Sequence, residues 1–151
     1  ASDVYKRQAA SLLTWPLARQ WLPLVLGDNR NSEPRNALHA RFWTTTYPTT
    51  ALLPMAALVK TVMRADFSGV TFPALFYYSR DDLVVDPTET AAFADGWGGA
   101  VAVIHPRLGD GDDKYAHVIA GDIVSPQQTD FAVDEMLRWL STQQGWPALV
   151  R

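Results

Sequence analysis

Apolar and polar positions along the chain predict a succession of short helices and strands. Leu12, Leu13, Leu17, Leu22, Leu24 and Leu26, with Trp15 and Trp21, stand among few charges, and Pro16 and Pro23 interrupt them. This predicts two short, kinked helical pieces between Ala9 and Leu26. A polar stretch from Gly27 to Arg35 and a threonine- and aromatic-rich stretch from His39 to Thr50 follow neither period, which predicts irregular structure. Leu52, Met55, Leu58, Val59 and Val62 then recur at helical spacing behind Thr50, a candidate N-cap, with Pro54 in the first turn. An amphipathic helix over 51–65 is expected.

The second half is more regular. Pro73-Ala74-Leu75-Phe76-Tyr77-Tyr78 is a continuous apolar and aromatic run that suits a strand buried on both faces of a parallel sheet. Asp86-Pro87-Thr88-Glu89 combines a capping aspartate, proline at the first helical position and glutamate at the third, predicting a helix from 87 to about 95 that stops near Gly96. Ala100 to Ile104 reads as a second short apolar strand, and Pro106 to Gly121 as a long glycine- and aspartate-rich loop. Ser125-Pro126-Gln127-Gln128 has the form of another capping box, with Val133, Met136, Leu137 and Leu140 as the buried stripe of a last helix. Asp130, Asp134 and Glu135 lie towards its N-terminus and Arg138 towards its C-terminus, as the helix dipole favours. Helix, strand, helix, strand, helix implies right-handed crossovers and an α/β fold. Two strands leave both sheet edges unpaired, so preceding strands are expected to be missing.

Composition narrows the partners. The 151 residues are 48% hydrophobic with a formal charge of -3, enough for one soluble domain with a core. No basic run points to nucleic acid or an anionic membrane, and no apolar run is long enough to span a bilayer. A neutral small molecule is the better partner, with no cofactor implied. The absence of cysteine excludes disulfides and thiolate chemistry but not any compartment; localisation is unknown, with the cytoplasm favoured. Asp3-Val4-Tyr5-Lys6-Arg7-Gln8 is what a transposon sequencing adapter encodes, so residues 1–8 are set aside and the native start is expected to be missing.

Chemistry concentrates in the loops after the two strands. Ligands of parallel α/β sheets sit beyond the carboxyl ends of the strands, so the loops after 78 and 104 converge on one crevice. They carry Asp82 and His117. A carboxylate on one ring nitrogen fixes the imidazole tautomer and leaves the other nitrogen to deprotonate a hydroxyl. Asp81 is the neighbouring candidate for the acid. His39 and His105 are expected to be structural, and Gly109-Asp110-Gly111-Asp112-Asp113 to be a solvated loop, because it lacks the ligand order and final glutamate of an EF-hand. An Asp81-Asp82 phosphoacceptor is disfavoured because Lys114 does not occupy the position such a domain requires.

Ser79-Arg80-Asp81-Asp82-Leu83-Val84-Val85 resembles the G-x-x-D-x-V-V stretch after the penultimate strand of α/β-hydrolases, with Ser79 in place of the usual glycine. His117-Val118-Ile119-Ala120-Gly121-Asp122-Ile123-Val124-Ser125-Pro126 resembles the histidine loop of their lysophospholipase-, monoacylglycerol-lipase- and serine-aminopeptidase-like subgroup. The resemblance implies the C-terminal part of an α/β-hydrolase fold, an incomplete domain in which residues 9–50 end a helical lid and residues 51–151 end the core. It also implies a serine hydrolase of carboxylic or lysophospholipid-like esters with an apolar acyl part, Asp82 as acid and His117 as base. The family requires a G-x-S-x-G elbow, and Ser11, Ser32, Ser68, Ser79, Ser125 and Ser141 all lack its glycines. The nucleophile is therefore expected upstream and the chain alone to be inactive. Trp15, Trp21, Trp43 and Tyr47 are candidates for an acyl pocket but are first of all packing residues. The alternative is a non-catalytic small-molecule binding protein on the same fold.

Overall fold

The computed structural model describes residues 17–143. Their contacts divide the chain between Ala65 and Asp66 into two compact units.

Among the described residues the upstream unit begins with α1 (Ala18–Leu26), which runs through Pro23 without a break; the part of the expected helical pieces before Leu17 lies outside the described residues. At nine residues it loses only one internal bond to the proline. Gly27, at φ 79°, ends it in the left-handed region that glycine enters without strain. Trp15 and Pro16 lie outside the described residues. The stretch expected to be irregular contains β1 (Asn29–Asn31), α2 (Ala37–Phe42) and β2 (Thr46–Pro48). The strands pair antiparallel, Arg30 opposite Tyr47, and Asn36 caps α2 by accepting from the His39 amide at 2.8 Å. Thr49 is fully buried, and its hydroxyl donates to the Gly27 carbonyl at 2.5 Å.

A 3₁₀ turn at Thr49–Ala51 leads into α3 (Leu52–Val62). Thr50 is not its cap; no side chain fills that position. The unit's inner residues include Ala18, Leu22, His39, Thr49 and Ala56, whereas Met55, Leu58, Val59 and Val62 are exposed. The expected apolar stripe of α3 exists in the sequence but faces outward.

The downstream unit contains the parallel pair predicted above. β3 (Ala74–Tyr77) and β4 (Val101–Ile104) run side by side, Leu75 opposite Ala102 and Phe76 opposite Val103. Between them lies α4 (Pro87–Asp95), with Asp86 accepting from the Thr88 amide, Pro87 in the first turn and Gly96 at the C-cap. Contrary to the expectation that the first strand is buried on both faces, every residue of β3 is half-buried; in β4, Val101 and Val103 are exposed. A two-stranded sheet lacks the neighbours that would cover it. Successive strand residues face opposite ways: Phe76 stands against Phe93 and Trp97, with ring centroids 6.0 and 6.2 Å away, while Tyr77 senses Glu135 of the last helix. Phe67 stacks on Trp97 at 5.8 Å, and the Trp97 indole N–H donates to the Phe72 carbonyl at 3.0 Å.

The last helix, α5 (Thr129–Ser141), follows a 3₁₀ turn at Pro126–Gln128. Ser125 does not cap it, because its hydroxyl is engaged elsewhere in the loop. The stripe also turns out differently from the expectation. Ala132 is buried and Glu135, Trp139 and Leu140 are half-buried, so Leu140 of the expected stripe turns inward while Val133, Met136 and Leu137 are exposed. Asp130 occupies the first turn and Arg138 the last, and Arg138 pairs with Glu135. Among the described residues no helix is long and apolar enough to cross a membrane.

The Tyr77 hydroxyl is buried with no hydrogen-bond partner among the described residues. Burial first, and then the charge of Glu135, raise its pKa above 10.0. The folded state thus holds this proton more tightly than the unfolded one, so the linked stability is complete below pH 10 and is lost as pH rises beyond it. Tyr77→Phe is expected to raise stability by about 1 kcal/mol at neutral pH and to flatten the alkaline decline. Urea midpoints across that range measure both, and a less stable phenylalanine variant would mean that the hydroxyl has a partner in solution.

Candidate functional site

The site is assembled where the chain leaves the parallel strands. After β3, the Tyr78 amide bonds to the Ile104 carbonyl, extending the pairing by one step. Ser79 is then buried, and its hydroxyl accepts from the Asp81 amide at 3.1 Å. It closes a tight turn where the hydrolase pattern has glycine. Asp81 leaves that turn exposed, whereas Asp82 is directed back into it.

Asp82 divides its carboxylate between two tasks. Oδ1 accepts from the Val84 and Val85 amides at 2.7 and 2.9 Å. Oδ2 lies 2.9 Å from His117 Nδ1. The acid side chain is only 13% exposed and the imidazole 41%, so the carboxylate is sheltered while the ring reaches solvent. The two loops are also joined through the main chain, the Leu83 amide donating to the Tyr115 carbonyl at 2.9 Å. The structure thus brings together Asp82 and His117, and not Asp81.

The geometry dictates a tautomer. A carboxylate oxygen has no proton to give, so the neutral ring carries its hydrogen on Nδ1 and presents Nε2 as an acceptor. Such a ring can remove a proton from a hydroxyl placed at Nε2 and return it later. Among the described residues no hydroxyl occupies that position. The Ser125 hydroxyl accepts from the Asp113 amide and donates to the Val118 carbonyl, and that of Ser79 is spent on the turn.

The other two histidines make their contacts within their own surroundings, outside the Asp82–His117 pair. His39 is buried, accepts from the Arg35 amide on Nδ1 at 3.1 Å and packs against Trp43. His105 Nδ1 bonds to the Tyr78 carbonyl at 3.0 Å.

The aspartate-rich loop is not simply solvated. Asp112 Oδ2 accepts from the Gly109 amide and from the Gln128 side chain, at 2.9 and 2.8 Å. Asp113 is 5% exposed, and its carboxylate receives the amides of Tyr115, His117 and Val118. Among the described residues no group of three or more histidines and acids is placed to hold a metal ion. Asp113 and Ser125 were not singled out as site residues by sequence reasoning. The available signal was the spacing: Asp113 stands two residues before Tyr115, as Asp82 stands two before Val84, and both accept the amide at that distance.

Compared with known proteins, the chain matches no family model, no curated protein and no solved structure.

Proposed function

We propose that the chain supplies the acid, Asp82, and the base, His117, of a serine hydrolase of the α/β-hydrolase fold, whose nucleophile is contributed by sequence outside it. The observation that carries this reading is the 2.9 Å contact between Asp82 Oδ2 and His117 Nδ1, with the other carboxylate oxygen held by two amides. A parallel strand pair with open edges, exposed apolar stripes on α3 and α5 and the capped helix α4 support the C-terminal part of such a fold, with the end of a lid before it.

In the reaction, a serine at His117 Nε2 attacks an ester carbonyl while the ring takes its proton. Asp82 holds the tautomer and stabilises the imidazolium that forms. The proton then passes to the leaving alcohol, and a water deprotonated by the same nitrogen releases the acyl group. An ester with an apolar acyl part is the substrate class that the sequence resemblance suggests.

The test joins the chain to the upstream coding sequence of its gene. The 151-residue chain alone is expected to show no esterase activity above background and no label from a serine-directed phosphonate. The extended protein is expected to carry one label per molecule on a G-x-S-x-G serine, with labelling strongly reduced by His117→Ala. Stoichiometric label on the chain itself, or an upstream sequence with no such serine, would overturn the proposal. An extended protein that binds esters without cleaving them would favour a binding protein.

A further inference from the structure

We infer that Asp113 is a positioning residue that sets the presentation of His117 to Asp82. The inference rests on the acid and base reading above and concerns how the base is held.

A histidine in a long loop has two free side-chain torsions on a backbone with no ladder to hold it. Keeping its Nδ1 within hydrogen-bond distance of a particular oxygen requires the backbone beneath the ring to be fixed first. No strand or helix does this here, since the region from Pro106 to Ala120 contains neither. The buried carboxylate of Asp113 takes their place. Its Oδ1 accepts from the Tyr115 amide at 2.9 Å, and its Oδ2 from the Val118 amide at 2.9 Å and the His117 amide at 3.3 Å. The three amides bracket the base on both sides. The Asp113 carbonyl also accepts from the Ala116 amide at 2.8 Å, and Ala116 sits at φ 50°, a left-handed residue immediately before the histidine.

The ring of contacts closes through Ser125. Its hydroxyl accepts from the Asp113 amide and donates to the Val118 carbonyl, so both ends of the segment 113–118 meet at one oxygen. The middle of the segment leads to the acid: the Tyr115 carbonyl accepts from the amide of Leu83, the residue after Asp82. Asp113 therefore stands in series between the acid and the base through main-chain bonds. A carboxylate suits this place because it accepts at both oxygens and has nothing to donate. An amide in the same position offers one oxygen and turns its NH₂ against at least one of the three N–H groups.

The experiment observes the ring without requiring turnover. In the full chain with ¹⁵N-labelled histidine, long-range ¹H–¹⁵N correlation reports the tautomer of His117 when neutral, with His105 as an internal control. The wild-type ring is expected to be predominantly protonated on Nδ1, and Asp82→Asn to abolish that preference. Asp113→Asn is expected to lower the Nδ1-protonated share roughly twofold or more, with the His105 signals unchanged. Asp113→Asn that lowers the thermal midpoint but keeps the wild-type tautomer would show a merely structural carboxylate and overturn the inference. If that variant does not fold, Ser125→Ala is read in the same spectrum with the same expected direction. Hydrogen exchange on the unsubstituted chain is independent of both, and unprotected exchange at His117 and Val118 would also overturn it. A wild-type ring without the Nδ1 preference would instead remove the acid and base reading itself, so the two failures are distinguishable.

Discussion

On the proposed hydrolase reading, Asp82→Asn, made in a protein extended to include a G-x-S-x-G serine, is expected to lower kcat by about 10⁴-fold, as the same exchange does in the serine-protease triad. The magnitude follows from which way the new amide must turn. Oδ1 of Asp82 accepts from the Val84 and Val85 amides, and only the carbonyl oxygen of asparagine can replace it there. The NH₂ group is thereby placed where Oδ2 meets His117 Nδ1. It donates to that nitrogen, drives the ring proton to Nε2 and leaves no base for the serine. The fold is expected to survive, because the two bonds that shape the turn are kept. Asp81→Asn removes an exposed carboxylate that does not meet the ring, and should change kcat by less than roughly tenfold. Steady-state kinetics with circular dichroism as the control for folding decide the matter; a mild effect at Asp82 would place the acid elsewhere.

The second large effect concerns stability. Ahead of β4, Gly98 and Gly99 lie directly against the main chain of residues 68–72. A Cβ on Gly98 would stand 2.6 Å from the Ser68 carbonyl carbon and 2.7 Å from the Val70 oxygen, and one on Gly99 would stand 2.8 Å from the Phe72 carbonyl carbon. These are backbone atoms and cannot step aside as a flexible side chain would. They are also held in place, with the Gly98 amide on the Phe67 carbonyl and Trp97 on Phe72. Gly98→Ala is expected to destabilise the downstream unit by at least about 3 kcal/mol, a large part of what a domain of this size possesses. Gly69→Ala, whose added Cβ meets nothing within 4 Å, should stay within about 0.5 kcal/mol. Denaturant midpoints for the pair provide the comparison, and equal shifts would refute the steric argument.

Much of the downstream unit was legible in the sequence because its signals are local. The aromatic run before Ser79, the Asp86-Pro87 cap and the Gly96 stop each act within a few residues, and strands and helix appear there within one or two positions. The meeting of Asp82 with His117 was legible because both follow strands that had to be parallel. The upstream strands were not, since Asn29, Arg30 and Asn31 are all exposed and show no alternation; their pairing with residues 46–48 depends on contacts distant in sequence. Ser125-Pro126-Gln127-Gln128 carried a capping pattern, yet its hydroxyl finds Asp113 and Val118, a competition that local patterns do not reveal. The outward turn of Val133, Met136 and Leu137 has the same origin: periodicity identifies an apolar stripe but not the element that covers it.

The backbone bond between Leu83 and Tyr115 has a bearing on divergence. Because the two loops are joined through main-chain atoms, the identity of the side chains at those positions is not needed for the link. Leu83 is 58% exposed and Tyr115 42%, so both lie at the surface beside the acid and base. A lineage can therefore exchange them for residues of other size or polarity, altering what approaches the imidazole, while the distance between Asp82 and His117 stays as the peptide groups hold it. On the proposed acid and base reading, proton-transfer geometry and ligand preference would be inherited separately.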